Sequence, residues 1–237
     1  MKWLDLTLAT PAANLACDEV LLDLCEEGRG EEVLRVWESA EHFVVVGYAN
    51  RVADEVDLAA CDALRVPILR RCSGGGTVLQ GAGCLSYSLI LRIDERAAGV
   101  RETNRTIMER HRQVLGELLR RPVAVSGHTD LTLDGRKFSG NSQRRHRRAL
   151  LFHGTFLLGF NLALIGRCLR TPSRQPDYRQ NRRHEDFLVN LSLPASAIKQ
   201  ALKQCWKADR PLAKIPFEQI EQLVREKYSR DEWNFRC

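Results

Sequence analysis

Two glycine-rich, basic blocks, about 60 residues apart, constrain this chain more than anything else in it. The first is Arg70-Arg71-Cys72-Ser73-Gly74-Gly75-Gly76-Thr77-Val78. The second is Gly135-Arg136-Lys137-Phe138-Ser139-Gly140-Asn141-Ser142-Gln143, with His153-Gly154-Thr155 soon after. Three glycines in a row let a backbone take positive φ and approach a ligand closely. A tight strand-to-strand turn rarely needs three glycines and two arginines. Each block offers bare N–H groups beside a fixed positive charge, a chemistry suited to a phosphate or an activated carboxylate. The first block is not a Walker motif, because no Gly-Lys-Ser/Thr closes it. Nor is it a dinucleotide fingerprint, which needs a helix directly after it.

The local patterns around the blocks are mostly strand-like. Leu34 to Trp37 alternates, Phe43 to Val46 is a short β-branched run, Pro67 to Arg71 leads into the first block, and Leu85 to Leu91 follows it. Val123 to Val125 reads as a short strand, and Asp134-Gly135 between Leu131-Thr132-Leu133 and Lys137-Phe138 predicts a two-residue hairpin. Ala149 to Leu158 is a further strand. Helices are interspersed. Thr10-Pro11 starts one that Gly28 stops, and residues 54–64, 104–119, 161–169, 195–206 and 216–228 carry others. Runs of strands with scattered helices predict an α+β fold with a mixed, largely antiparallel sheet covered by helices. Without long flexible linkers, the expectation is a catalytic domain over 1–190 and a helical extension over 191–237 packed on it.

Composition removes several classes. With 44% hydrophobic and 28% charged residues the chain has the balance of a soluble globular protein. No apolar run approaches the ~20 residues that span a bilayer, and the N-terminus lacks a secretory pattern. A cytoplasmic location is the expectation. The cysteines at 17, 25, 61, 72, 84, 168, 205 and 237 form no Cys-x-x-Cys pair and no zinc-finger spacing, so they read as reduced core residues. The net charge of +6 gathers at Arg144-Arg145-His146-Arg147-Arg148 and at Arg167, Arg170, Arg174, Arg179, Arg182 and Arg183. That basic surface suits solvent, a phosphate-bearing ligand or an acidic protein partner. The low aromatic content argues against an RNA-recognition surface.

Among candidate chemical groups, Arg71 can place a guanidinium on a phosphate or carboxylate. Lys137, just after the hairpin turn, can neutralise charge as an acyl phosphate forms and stabilise the transition state as the acyl group leaves. Asp130 is either a turn-capping aspartate or a carboxylate that holds Mg²⁺ or the incoming amine. His153 lies on a strand among apolar neighbours and reads as a near-core residue. His128, His146 and His184 read as surface residues. Cys72 has arginines beside it, as a reactive thiol would, or it points into the core.

Together the two blocks, Val46-Gly47-Tyr48-Ala49-Asn50, Asp130-Leu131, His153-Gly154-Thr155, Phe187-Leu188-Val189-Asn190-Leu191 and Trp233-Asn234-Phe235 resemble the lipoate–protein ligase family of the biotin/lipoate ligase superfamily, over nearly the whole chain. The resemblance implies an enzyme that uses ATP and Mg²⁺ to make lipoyl-AMP from lipoate, or the octanoyl analogue. It then passes the acyl group to a lysine of an acidic lipoyl-carrier domain. It implies Lys137 as the catalytic lysine, in contact with both acyl carbonyl and phosphate. Arg71, Gly76, Thr77, Val78 and Leu79 become nucleotide contacts, and Ser73, Gly74, Gly75, His153 and Gly154 line the acyl site.

Two departures from the family pattern bear on mechanism. Many family ligases continue into a C-terminal accessory domain, whereas this sequence stops at Cys237, which raises a separate accessory subunit as a partner. Related octanoyltransferases carry a cysteine in the loop before the hairpin; here that loop reads Ser126-Gly127-His128-Thr129-Asp130. The missing thiol favours ATP-dependent ligation over octanoyl transfer from acyl carrier protein. Biotin stays open as a substrate, and a non-catalytic binding role for the Arg144–Arg148 patch is the reading furthest from catalysis.

Overall fold

The backbone of the computed structural model is described for residues 1–93, 99–172 and 175–236. Among the described residues the strands are β1 (Lys2–Asp5), β2 (Val33–Trp37), β3 (Phe43–Val46), β4 (Ile68–Arg70), β5 (Val78–Gln80), β6 (Cys84–Arg92), β7 (Ala124–Ser126), β8 (Asp130–Leu133), β9 (Arg136–Arg145), β10 (Ala149–Leu157) and β11 (Arg210–Pro211). The α-helices among them are α1 (Pro11–Glu26), α2 (Val52–Glu55), α3 (Leu58–Ala63), α4 (Val100–Leu119), α5 (Leu162–Cys168), α6 (His184–Phe187), α7 (Ala195–Cys205), α8 (Phe217–Leu223) and α9 (Asp231–Asn234). A sheet of eight strands runs in the order β11-β1-β2-β6-β10-β9-β8-β7, and a second sheet runs β4-β3-β5. β1 pairs in parallel with β2 and β11, and β3 with β4; the other pairings are antiparallel. This is the α+β fold with a mixed, mostly antiparallel sheet that the strand-rich pattern predicts.

Alternation along the strands decides the layers. Leu34 and Val36 of β2, Leu150 and Phe152 of β10 and Tyr87 and Leu89 of β6 pack on one face, beneath α4 and α7. Val33 and Trp37, Ile90, and Ala149 and Leu151 pack on the other, beneath α1 and α8. On this second face the alternation also puts Arg35, Ser88 and His153 among the apolar side chains, with no local apolar reason to be there. They are the first structural sign of a site. The small sheet and α5 enclose a third cluster around Val44, Val46, Leu79 and Phe160.

The start of α1 follows its sequence signals. Thr10 accepts a bond from the Ala13 amide at 3.1 Å, and Pro11 takes the first helical position. The Asp134-Gly135 hairpin also forms, with φ of 50° and 71° at its two turn residues. Elsewhere the boundaries shift. Residues 54–64 split into α2 and α3, α4 starts four residues earlier than expected, and the last long helix changes to a wider five-residue turn over Val224–Tyr228. Part of the Arg144–Arg148 stretch belongs to strand β9, which runs to Arg145. In the 191–236 stretch, β11 adds itself to β1, with Lys2 opposite Arg210. No described helix is long and apolar enough to cross a membrane.

Candidate active site

β10 brings the two glycine-rich blocks together. It pairs with β9 on one side and β6 on the other, which sets His153 opposite both Ser142 and Ser88. The loop between β4 and β5, residues 71–77, lies against this junction. Ser142 Oγ donates to Gly74 O at 2.8 Å, and Ser73 Oγ lies 2.5 Å from His153 Nε2. Gly74, Gly75 and Gly76 are exposed, and a Cβ on Gly74 or Gly76 would meet open space. Among the described residues none accepts from their three N–H groups, so those donors are free for a ligand. Gly75 needs its hydrogen side chain for a different reason: its φ is +87°.

Arg71 sits inside this loop rather than above it. Its side chain donates to Gly74 O at 2.5 Å, Gly76 O at 2.8 Å, Val45 O at 3.3 Å and Ser73 Oγ at 3.0 Å. A loop with no side chains of its own leaves its carbonyls short of donors, and Arg71 supplies them. Burial lowers its pKa to about 10, so it stays a cation at neutral pH. The guanidinium thus shapes the loop in this state, and a direct anion contact requires some of these bonds to be exchanged. The preceding Arg70 braces the loop from below. It donates to Gly47 O and Asn50 O, each at 2.8 Å, and to Trp233 O and Arg236 O of the C-terminal segment at 3.0 and 2.6 Å.

Lys137 leaves the hairpin and folds back over its own strand. Its Nζ lies 2.8 Å from Asp130 Oδ1, and the ammonium rests on Gly140, where a Cβ would stand 2.7 Å from it. Gly140 and Ser142 share a face of β9, so Lys137 sits one strand step, roughly 7 Å, from the residue that holds the glycine loop. Tyr178 donates to the other oxygen of Asp130 at 2.7 Å. Asp130 is therefore a clamp on Lys137. Among the described residues no three His, Cys, Asp or Glu side chains gather as a metal site, and both Asp130 oxygens are engaged. Any Mg²⁺ here would be carried by substrate phosphates rather than by a protein cage.

Behind the loop, His153 Nδ1 lies 3.8 Å from Asp18 Oδ2 on α1. Asp18 accepts from Arg35 Nη1 at 2.6 Å and from Ser88 Oγ at 2.5 Å. Burial alone pushes the Asp18 carboxyl up, but the Arg35 charge and hydrogen bonds outweigh it and hold the group below the usual carboxylate range. Gly154 is fixed by a neighbour: a Cβ there would collide with the Asn141 carboxamide, which accepts from Tyr87 Oη at 2.6 Å and donates to Thr129 O at 2.6 Å. Thr77 and Val78 are half-buried and Leu79 is buried.

Sequence reasoning passed over Asp18, Arg35, Tyr178 and Asn141. His184 is also not a simple surface residue. It is half-buried, and burial followed by the charges of Arg179 and Lys137 lowers its pKa to about 4. The cysteines are the reverse case. Cys72 and Cys84 are buried and their thiols are pushed up to about 12 by desolvation, Cys61 likewise to about 12 and Cys17 to about 11. Burial also raises Cys25, Cys168 and Cys205. None of these seven is a thiolate at neutral pH.

The model of the lipoyl protein ligase A/B catalytic domain matches residues 10–204. The chain belongs to that family. It is thus an enzyme of the lipoate/octanoate-transfer group. Among its curated relatives, octanoyltransferase LipM of Exiguobacterium sp. is 27% identical over 94% of each chain. LipM of Bacillus subtilis is 25% identical over 99% of this chain and 98% of its own. A protein named probable lipoate-protein ligase A of Mycoplasma pneumoniae is 28% identical over 95% of this chain and 68% of its own. The fold also superposes, with a TM-score of 0.85 and 21% identity over 99% of both chains, on a lipoate-protein ligase A crystallised with ATP. A structure from the lipoylation system of Thermoplasma acidophilum, described as a bipartite lipoate-protein ligase and its E2 lipoyl domain, gives a TM-score of 0.82 at 21% identity, over 99% of this chain and 96% of its own.

Proposed function

We propose that this chain places an octanoyl or lipoyl group on a lysine of a lipoyl-carrier domain, using the cleft between the Gly74–Gly76 loop and Lys137. The observation that carries this reading is the junction itself. Lys137, clamped by Asp130, stands beside a loop with three free N–H groups, and Ser142 and His153 tie that loop to the strands that carry the lysine. In the step that forms the amide, the carrier amine attacks the acyl carbonyl and negative charge grows on the carbonyl oxygen and the leaving group. A fixed ammonium and preset amides stabilise that charge without reorganising. Ser73, Gly74, Gly75, His153 and Gly154 line the acyl end, and Arg71, Gly76, Thr77, Val78 and Leu79 the leaving-group end.

For the route, the thiols favour ATP-dependent activation. A thioester relay through a cysteine needs a thiolate, and all seven described cysteines are held protonated by burial. On this reading the carboxylate displaces pyrophosphate from ATP to give acyl-AMP, and the carrier lysine then displaces AMP. A second reading, transfer from an octanoyl carrier protein, is favoured by seven curated relatives that bear the octanoyltransferase name. In this chain that reading takes the form of direct attack: the C–N bond forms, the C–S bond breaks, and the amine proton leaves with the thiolate.

The test is pyrophosphate release from ATP with octanoate, lipoate or biotin added in turn, followed by octanoyl carrier protein plus an acceptor domain without ATP. Acid-dependent release supports the adenylate route; release only after a candidate accessory subunit is added gives the same answer with a partner. Transfer from the carrier protein without ATP supports the second reading. No transfer under any of these conditions refutes the function.

A further inference from the structure

The strongest feature outside this account is the buried chain that runs from Arg71 through Ser73 and His153 to Asp18. Its direction can be read from chemistry alone. Arg71 Nε has only a proton to offer, so at 3.0 Å Ser73 Oγ accepts from it. At the other end the Asp18 carboxylate can only accept, and it faces His153 Nδ1 at 3.8 Å, ion-pair rather than hydrogen-bond range. A neutral imidazole carries one proton, and the carboxylate's field draws it to Nδ1. Nε2 is then a lone pair, 2.5 Å from Ser73 Oγ, and the serine hydroxyl must donate to it. Ser88 and Arg35 anchor Asp18 from the far side.

We infer that Asp18 is a positioning residue for the acyl site: it fixes the Nδ1–H tautomer of His153, which orients the Ser73 hydroxyl away from the ligand and locks the root of the glycine loop. The consequence rests on the acyl-transfer reading above. With the Ser73 proton committed inward, the loop presents the Gly74, Gly75 and Gly76 amides to the ligand without competition from the Ser73 hydroxyl. Asp18 touches no ligand and acts only through His153 and Ser73. Asp18 is at the same time the counter-charge of the buried Arg35, 2.6 Å away, whose other bonds go to Asn14 Oδ1 at 2.6 Å and Asn14 O at 2.8 Å.

The experiment is two-bond ¹H–¹⁵N correlation NMR on the histidine-labelled full chain, at about pH 8.5, above the ordinary imidazole range. His153 in the wild type should show the Nδ1–H tautomer; an Nε2–H tautomer overturns the inference outright. In Asp18→Asn the carboxamide can keep its oxygen on Arg35, but the negative charge that draws the proton to Nδ1 is gone, so the proton moves to Nε2 and is donated to Ser73 Oγ. The expected result is a flipped tautomer with a loss of kcat/KM for acyl transfer on the order of tenfold or more. A folded Asp18→Asn chain with an unchanged tautomer refutes the inference, and so does a flipped tautomer with wild-type transfer. Should Asp18→Asn not fold, Ser73→Ala serves instead, with His153 expected to keep Nδ1–H; a switch to Nε2–H refutes it. A wild type that shows the Nδ1–H tautomer but transfers no acyl group counts against the function and leaves the tautomer assignment standing.

Discussion

Gly140→Ala separates the position of Lys137 from the stability of the fold. A Cβ at 140 stands 2.7 Å from both Cε and Nζ of Lys137, whereas ordinary contact begins near 3.4 Å. The ammonium must therefore retreat by about 0.7 Å. Asp130 Oδ1, 3.6 Å from the same methyl, need not move, so the retreat strains or breaks the 2.8 Å Lys137–Asp130 pair. The atoms that give way are the far end of a flexible side chain, and the φ of Gly140 is not in the left-handed region. The stability cost stays within about 1 kcal/mol, offset in part by the lower entropy of the unfolded chain. Displacement of a catalytic group by about 1 Å can cost ~10²-fold. The expected outcome is a melting temperature within a few degrees of wild type and a kcat/KM for carrier acylation down about 10²-fold, read by the mass shift of the acceptor domain. Gly135→Ala is the inverse case: open space around the Cβ but φ of +71°. It should cost about 1–2 kcal/mol of stability and leave transfer nearly intact. Gly140→Ala with wild-type transfer would refute the placement of Lys137 as the catalytic ammonium.

Three further outcomes follow from the geometry. Tyr178→Phe removes one of the two bonds that hold Asp130 and should lower kcat/KM roughly three- to tenfold, with little change in melting temperature; no change would mean that Tyr178 does not support the clamp. Iodoacetamide at about pH 8 should leave transfer intact in the native enzyme, since burial keeps the described thiols protonated; inactivation mapped to any of Cys17 to Cys205 would refute the thiol-free route. His111 is buried, accepts from Trp206 Nε1 at 2.8 Å, and has its pKa lowered from 6.5 to about 3 by burial and then by the Arg110 charge. The unfolded chain takes up that proton first, so the stability present above the ordinary imidazole value falls by about 2 kcal/mol between about pH 7 and pH 5. Urea titrations at the two pH values should show a loss smaller by about that amount in His111→Gln than in wild type, with His184, also lowered, keeping its own share.

The parts of the fold that were legible in the sequence are those where one residue type has one local solution. Asp134-Gly135 marks a hairpin because its turn needs two positive φ values, and Thr10-Pro11 marks a helix start because the cap and the fixed φ act within four residues. The first glycine block marks a loop for a related reason, since Gly75 takes a φ of +87°. Asp18 and Arg35 were missed because their partners are remote: 17 residues separate them from each other, and His153 lies further still. The only local sign was a carboxylate in an apolar helix and an arginine in an apolar strand, two unlike charges that each had to be paired once buried. Arg71 reads as a ligand contact because the sequence shows its charge; the loop carbonyls it also meets are not legible there. Lys137 was legible as a hairpin lysine; the clamp on it was not, because Tyr178 arrives from a polar loop with no periodicity.

The electrostatics around Lys137 bear on which leaving group the cleft suits. Burial, and then the charges of Arg179 and Lys137, lower the pKa of His184, so both cations act on one half-buried imidazole. Arg179 does so from a site only 5% exposed, with one guanidinium nitrogen that meets no acceptor among the described residues. Asp130 cancels part of the Lys137 charge, but its second oxygen is spent on Tyr178. A thioester delivers a leaving group that is neutral once it takes the amine's proton, and gains little from such a field. An acyl phosphate delivers one that is charged throughout, in a partly desolvated cleft where each cation counts for more than in water. Replacement of Arg179 by Gln should therefore slow acyl transfer from acyl-AMP at least several-fold more than transfer from octanoyl carrier protein, measured on the same acceptor domain. Equal losses with the two donors would mean that the field serves the acceptor rather than the leaving group, and would remove this support for the adenylate route.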